Sequence, residues 1–202
     1  MVLNKLLDVT QRQHAIKTAK RTSRRPFVDV TLIQLTHLAG LPFAEIAALT
    51  ITSVSDESGG VGPILRTGGG SSRLVRRAIP THPDLRLALE RLIYAERIRG
   101  GPLFLADGGR AYTPGELSER VSSVYLRAGF VGVPPGIGRW YFARSLISGL
   151  QERAYSLRDV QELMGLRNLS SLMRYATATD CAANLFTLVG EEHYAEFRGM
   201  GR

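Results

Sequence analysis

The residues of this chain best suited to chemistry are its cations. Residues 1–25 carry Lys5, Arg12, Lys17, Lys20, Arg21, Arg24 and Arg25 against the single acid Asp8, seven minus one, or +6, out of a formal net charge of +8 for all 202 residues. Clustered ammonium and guanidinium groups attract phosphate oxygens, so this segment reads as a phosphate-binding arm and its partner as a polyanion. All three lysines lie within it, and every later cation except histidine is an arginine. A second cluster, Arg66, Arg73, Arg76 and Arg77, brackets the run Thr67-Gly68-Gly69-Gly70-Ser71-Ser72. That run lacks the lysine and the spacing of a P-loop, so it reads as a hairpin and not as a nucleotide site. Arg139 opens a helix, where a guanidinium can hold a phosphate. Tyr175 sits in a later helix, where a tyrosine can simply pack at the edge of a core with its hydroxyl satisfied. The lone Cys181 excludes an internal disulfide framework and argues against a cysteine zinc site; no metal or cofactor is expected.

The elements that must position these groups are mostly helical. Leu3 to Lys20 has a modest apolar periodicity, and Lys20 to Pro26 reads as a hinge. Phe27 to Leu41 is apolar nearly all round and suits a buried helix. Gly40 is a helix stop, and Pro42 stands at the start of a short helix over 43–49, where its missing N–H is harmless. Thr50 to Val54, Val61 to Arg66 and Leu74 to Ile79 read as three strands of a small antiparallel sheet. Helices follow over 84–98, from the capping box Thr113-Pro114-Gly115-Glu116 to about Ala128, over 139–150, from Ser156 to Gly165, and from Asn168 or Ser170 through Tyr175. The fold class expected is therefore mostly α with a small three-stranded antiparallel sheet. No apolar run reaches the roughly 20 residues of a membrane span, and no signal peptide is read, so the cytoplasm is the expected compartment.

Three segments resemble the tyrosine recombinases, the phage-integrase family. Leu38-Ala39-Gly40-Leu41-Pro42-Phe43-Ala44-Glu45 resembles the family's first box, a glycine-leucine-arginine turn with a glutamate three residues after the arginine. Gly136-Ile137-Gly138-Arg139-Trp140-Tyr141-Phe142-Ala143 resembles the second, histidine-x-x-arginine followed by a helix. Val160-Gln161-Glu162-Leu163-Met164-Gly165-Leu166, then Leu172-Met173-Arg174-Tyr175, resembles the leucine-glycine-histidine that precedes the nucleophilic tyrosine by about nine residues. Order and spacing agree with the family, which implies its catalytic-domain fold over roughly 26–190. The organisation expected is a basic arm (1–25), the catalytic-type domain (26–190) and a short tail (191–202).

The resemblance also implies a chemistry, and most of its residues are missing. In the family a tyrosine oxygen attacks phosphorus, two arginines clamp the non-bridging oxygens, a hairpin lysine protonates the leaving oxygen, and histidines complete the donor set. Here the first arginine position is Pro42, the lysine position falls near Arg66, and the histidine positions are Gly136 and Leu166. Only Arg139 and Tyr175 match. Arginine holds its proton too tightly to replace the lysine as a general acid. Loss of a single preorganised donor costs about 10²–10³ in rate, so several losses, though not additive, remove useful turnover.

The resemblance, the charge and the missing donors together imply a non-catalytic protein that binds double-stranded DNA and regulates transcription or recombination on a mobile element. Its contacts are expected from Lys17, Lys20, Arg21, Arg24, Arg25, Arg66, Arg73, Arg76, Arg77 and Arg139. Two alternatives stay open. One is an active or partner-completed site-specific recombinase using Tyr175. The other is an interaction module, in which Leu185, Phe186, Leu188 and Val189 dock on a second copy of the chain or on a competent recombinase.

Overall fold

The structure is a computed structural model that describes residues 7–68, 76–148 and 156–176, without the side chains of Met173, Arg174 and Ala176. The chain divides into two compact units, Met1–Phe142 and Ala143–Arg202.

The first unit is built round one apolar helix. α1 (Val9–Thr22) opens on Asp8, whose carboxylate accepts from the Gln11 N–H while the Gln11 side chain accepts from the Asp8 N–H, a capping box. α1 buries Ala15 and Ala19, and it packs on α2 (Pro26–Leu38) and α6 (Pro114–Arg127). Val9–Thr22 of the segment read as a basic arm thus form a docked helix, and the hinge before α2 shrinks to Ser23, Arg24 and Arg25. α2 is buried nearly all round because it has neighbours on several sides: α1, α5 (Pro83–Ala95) and α6 pack against it. Its Leu32, Ile33 and Leu35 share one core with Leu85, Leu89 and Leu92 of α5 and with Leu117, Val121, Val124 and Tyr125 of α6. α3 (Phe43–Ala47) follows directly, and α6 starts at the expected capping box of Thr113 and Glu116.

The sheet has two strands among the described residues, not three. β1 (Ile64–Thr67) pairs antiparallel with β2 (Arg77–Pro80), with Leu65 opposite Ile79 and both facing inward. Thr50 to Val54, read as a strand from its β-branched residues, is instead a helical turn, α4 (Ile51–Val54). The reason is local hydrogen bonding. The Ser53 hydroxyl accepts from the Thr50 N–H at 3.1 Å, and the Ile51 N–H is drawn to the Gly101 carbonyl at 2.9 Å. Such side-chain bonds offer the backbone an alternative to a strand ladder, and here they win over β-propensity.

α7 (Ile137–Ser148) begins in the first unit and continues into the second. The second unit also holds α8 (Leu157–Leu163) and α9 (Ser170–Ala176), with Val160, Met164 and Leu172 buried. Ser156 and Asp159 form the expected capping box on α8. No helix among the described residues is long and apolar enough to cross a membrane.

Candidate nucleic-acid interface

The segment resembling the first box is shaped by backbone constraints. α2 ends at Ala39, and Gly40 turns the chain with φ +59°, a conformation that L side chains rarely adopt. A Cβ on Gly40 would also lie 2.9 Å from Phe142 Cε1. Pro42 then caps α3 in an extended conformation and offers no donor to a ligand. Glu45, one turn on, is buried and pairs with Arg77 of β2, whose side chain is 1% exposed. A carboxylate and a guanidinium taken out of water must satisfy each other. Arg77, expected at a DNA surface, is therefore committed to the interior. Strand alternation carried that signal: Arg77 shares its face with Ile79, which is buried.

The segment resembling the second box lies at the start of α7. Arg139 is half-buried and donates through Nη1 to the Gly40 carbonyl, which ties the beginning of α7 to the turn after α2. Gly136, matched to a histidine by the sequence resemblance, faces open space: a Cβ there would meet no atom within 4 Å. Gly138 is the opposite case, since a Cβ would lie 2.8 Å from His37 Cε1. This close approach of α7 to α2 encloses His37, which is 1% exposed. His37 Nδ1 donates to the Ile33 carbonyl at 2.9 Å, while Nε2 has no hydrogen-bond partner among the described residues. Desolvation, opposed by the Ile33 bond and aided by the charge of Arg12, lowers the imidazole pKa from 6.5 to about 4. Trp140 packs against the core of the first unit, as does Tyr112, which lies beneath Arg25 and Arg120.

The remaining expected contacts separate by exposure. Arg66 is exposed on the outward register of β1, opposite Ala78. Arg76 is exposed, and its Nε donates to the Gly68 carbonyl at 3.2 Å. Arg73 lies outside the described residues. Lys17, Lys20, Arg21 and Arg24 are all exposed on or just past α1. Arg25, one residue further, turns inward: it pairs with Glu96 at 2.5 Å and donates to the Leu105 carbonyl at 2.5 Å and the Tyr112 hydroxyl at 3.2 Å. The Glu96 bond raises its pKa above the ordinary guanidinium value. Like Arg77, Arg25 is therefore a structural cation of the fold. Sequence position alone gave no way to tell it from Arg24.

In the second unit, α8 ends in a Schellman turn. Gly165 has φ +64°, the Leu166 N–H reaches the Gln161 carbonyl at 3.0 Å, and Gln161 Nε2 donates to the Leu166 carbonyl at 3.1 Å. Leu166, matched to a histidine by the sequence resemblance, is thus held in place by its backbone and carries an aliphatic side chain. Tyr175 is half-buried on α9. The apolar group Leu185, Phe186, Leu188 and Val189 lies outside the described residues.

The fold has relatives among solved structures. No family model matches the chain, and no curated protein does. The crystal structure of XerA recombinase matches at TM-score 0.70 with 17% identity, over 96% of this chain and 65% of XerA. XerH site-specific recombinase bound to its difH substrate, a pre-cleavage complex, matches at 0.64 with 20% identity, over 84% of this chain and 49% of XerH. The Tn1549 transposon integrase in complex with a circular intermediate DNA matches at 0.64 with 16% identity, over 85% of this chain and 60% of that one. The architecture, mostly helical with a small antiparallel sheet, is that of the catalytic domain of tyrosine recombinases. The chain spans less than two thirds of the length of each of these three structures.

Proposed function

We propose that this chain is a DNA-binding protein that uses the recombinase catalytic fold without cleaving DNA by itself, and that it regulates transcription or recombination on a mobile element. The observation that supports the reading is Pro42 at the N-cap of α3; the sequence resemblance matches this residue to the family's first clamp arginine. A proline there presents neither a guanidinium nor an N–H to a phosphate. Gly136 and Leu166 extend the same deficit, and no lysine follows Lys20 to protonate a leaving oxygen. The positive charge, and the DNA present in the XerH and Tn1549 structures that share this fold, support duplex DNA as the partner.

A suicide duplex, nicked so that a cleaved strand cannot religate, tests the catalytic half. The purified chain should give no covalent DNA–protein adduct. An adduct that disappears in Tyr175→Phe overturns the reading. The binding half is tested by an electrophoretic shift on labelled duplex, where lack of a complex at low salt would remove DNA as the partner.

A further inference from the structure

We propose that the solvent face of α1 is a sequence-independent phosphate-binding stripe that lies along the backbone of duplex DNA. This rests on the DNA-binding reading above and assigns it a surface. Lys17, Lys20 and Arg21 stand at i, i+3 and i+4, so they share one face of the helix, and Arg24 follows directly past the C-cap Ser23. At 100° per residue that face is opposite Ala15 and Ala19, the residues α1 buries. No acidic residue lies between Asp8 and Asp29. Arg24 has one acidic neighbour, Asp107 at 3.7 Å, with both side chains largely exposed. Lys17, Lys20 and Arg21 have no ion-pair partner among the described residues.

Dipole compensation does not account for the whole set. Cations in the last turn offset the partial charge at a helix C-terminus, an effect confined to that turn. Lys20 and Arg21 qualify, but Lys17 lies before the last turn and Arg24 beyond it. The four charges span about 10 Å along the axis at roughly 1.5 Å per residue. One DNA strand advances about 3.4 Å per phosphate, so the stripe matches about three phosphates of a single strand.

The helix is also held ready. Arg127 of α6 donates through Nε to Thr22 Oγ1 at 3.0 Å and through Nη2 to Ser23 Oγ at 3.0 Å, which fixes the C-terminal end of α1. A preordered helix gives up less conformational freedom on binding than a disordered arm would. A lipid surface is a poorer match, because the apolar side of α1 is already packed on α2 and α6 and nothing remains to insert.

The test is fluorescence anisotropy of the full chain with mixed-sequence duplex DNA over 50–400 mM salt, on the order of the range where counterion release is readable. The variant Lys17→Gln/Lys20→Gln/Arg21→Gln/Arg24→Gln should bind at least about 100-fold more weakly at low salt, with a log–log salt slope shallower by roughly 3, equally for every duplex sequence. Its thermal melt by circular dichroism should match that of the parent, since all four residues are exposed. A control, Arg86→Gln/Arg91→Gln/Arg97→Gln/Arg99→Gln, removes the same charge from exposed positions on and after α5. Equal losses in the two variants would mean that net charge alone acts, and the stripe is refuted. Unchanged binding in the α1 variant refutes the stripe while DNA binding stands. If the parent binds phosphatidylserine vesicles and not duplex DNA, both the stripe and the DNA reading fall.

Discussion

Acidification should destabilise the first unit through His37. Its imidazole is buried with Nε2 unpartnered, facing Arg12, Thr36 and Tyr141, and its pKa is lowered from 6.5 to about 4. The unfolded chain therefore takes up this proton near pH 6.5, while the folded chain resists until about pH 4. Stability is fully present above the unfolded value and is lost as pH falls through the window between the two. A shift of about 2.5 units at about 1.36 kcal/mol each amounts to about 3 kcal/mol in total, of which about 2 kcal/mol is lost between pH 7 and pH 5. Most carboxylates titrate below that interval, so it isolates histidine. The assay is urea unfolding at pH 7, 6 and 5, followed by the fluorescence of Trp140, the only tryptophan, which packs on the core of the unit that contains His37. His37→Phe fills a similar volume and cannot titrate. Its stability should fall between pH 7 and 5 by about 2 kcal/mol less than that of the parent. His37→Gln serves the same purpose if the phenylalanine variant does not fold. Equal losses in parent and variants would refute the claim that this imidazole is buried uncharged.

Two further perturbations probe the segments round the candidate site. Arg77→Met alone strands Glu45 as an uncompensated buried carboxylate and should cost about 3–5 kcal/mol in urea unfolding, whereas Glu45→Leu/Arg77→Met together should cost clearly less. A single variant no more harmful than the double would show that the pair is not desolvated. Gly138→Ala forces a methyl group into His37 and should lose about 1–3 kcal/mol despite alanine's better helix propensity, while Gly136→Ala, facing open space, should stay within about 0.5 kcal/mol of the parent. Thermal melts of the two glycine variants compare them directly, and equal melting temperatures would contradict the close approach of α7 to α2.

What could be read without a structure was whatever side-chain type and local spacing decide. The capping boxes at Thr113 and Ser156, the stops at Gly40 and Gly165, and the apolar-rich α2 follow from interactions within a few residues, and each is where it was expected. What Pro42, Gly136 and Leu166 can offer is likewise a property of composition: a proline, a glycine and a leucine cannot donate from their side chains wherever the fold puts them. α4 escaped because β-branched residues favour a strand only when no nearer bond competes, and Ser53 supplied one.

The fate of each cation, by contrast, belonged to tertiary structure. Arg24 and Arg25 are neighbours in sequence, yet one is exposed and the other pairs with Glu96, 71 residues away. Arg77 meets Glu45 across 32 residues, and Arg139 meets Gly40 across 99. Within the basic segment, α1 is a docked helix because α2 and α6 cover its alanine face. A charge is chemically the same in every environment, but whether it meets water, a carboxylate or a phosphate depends on which distant elements pack beside it, and only the folded chain decides that.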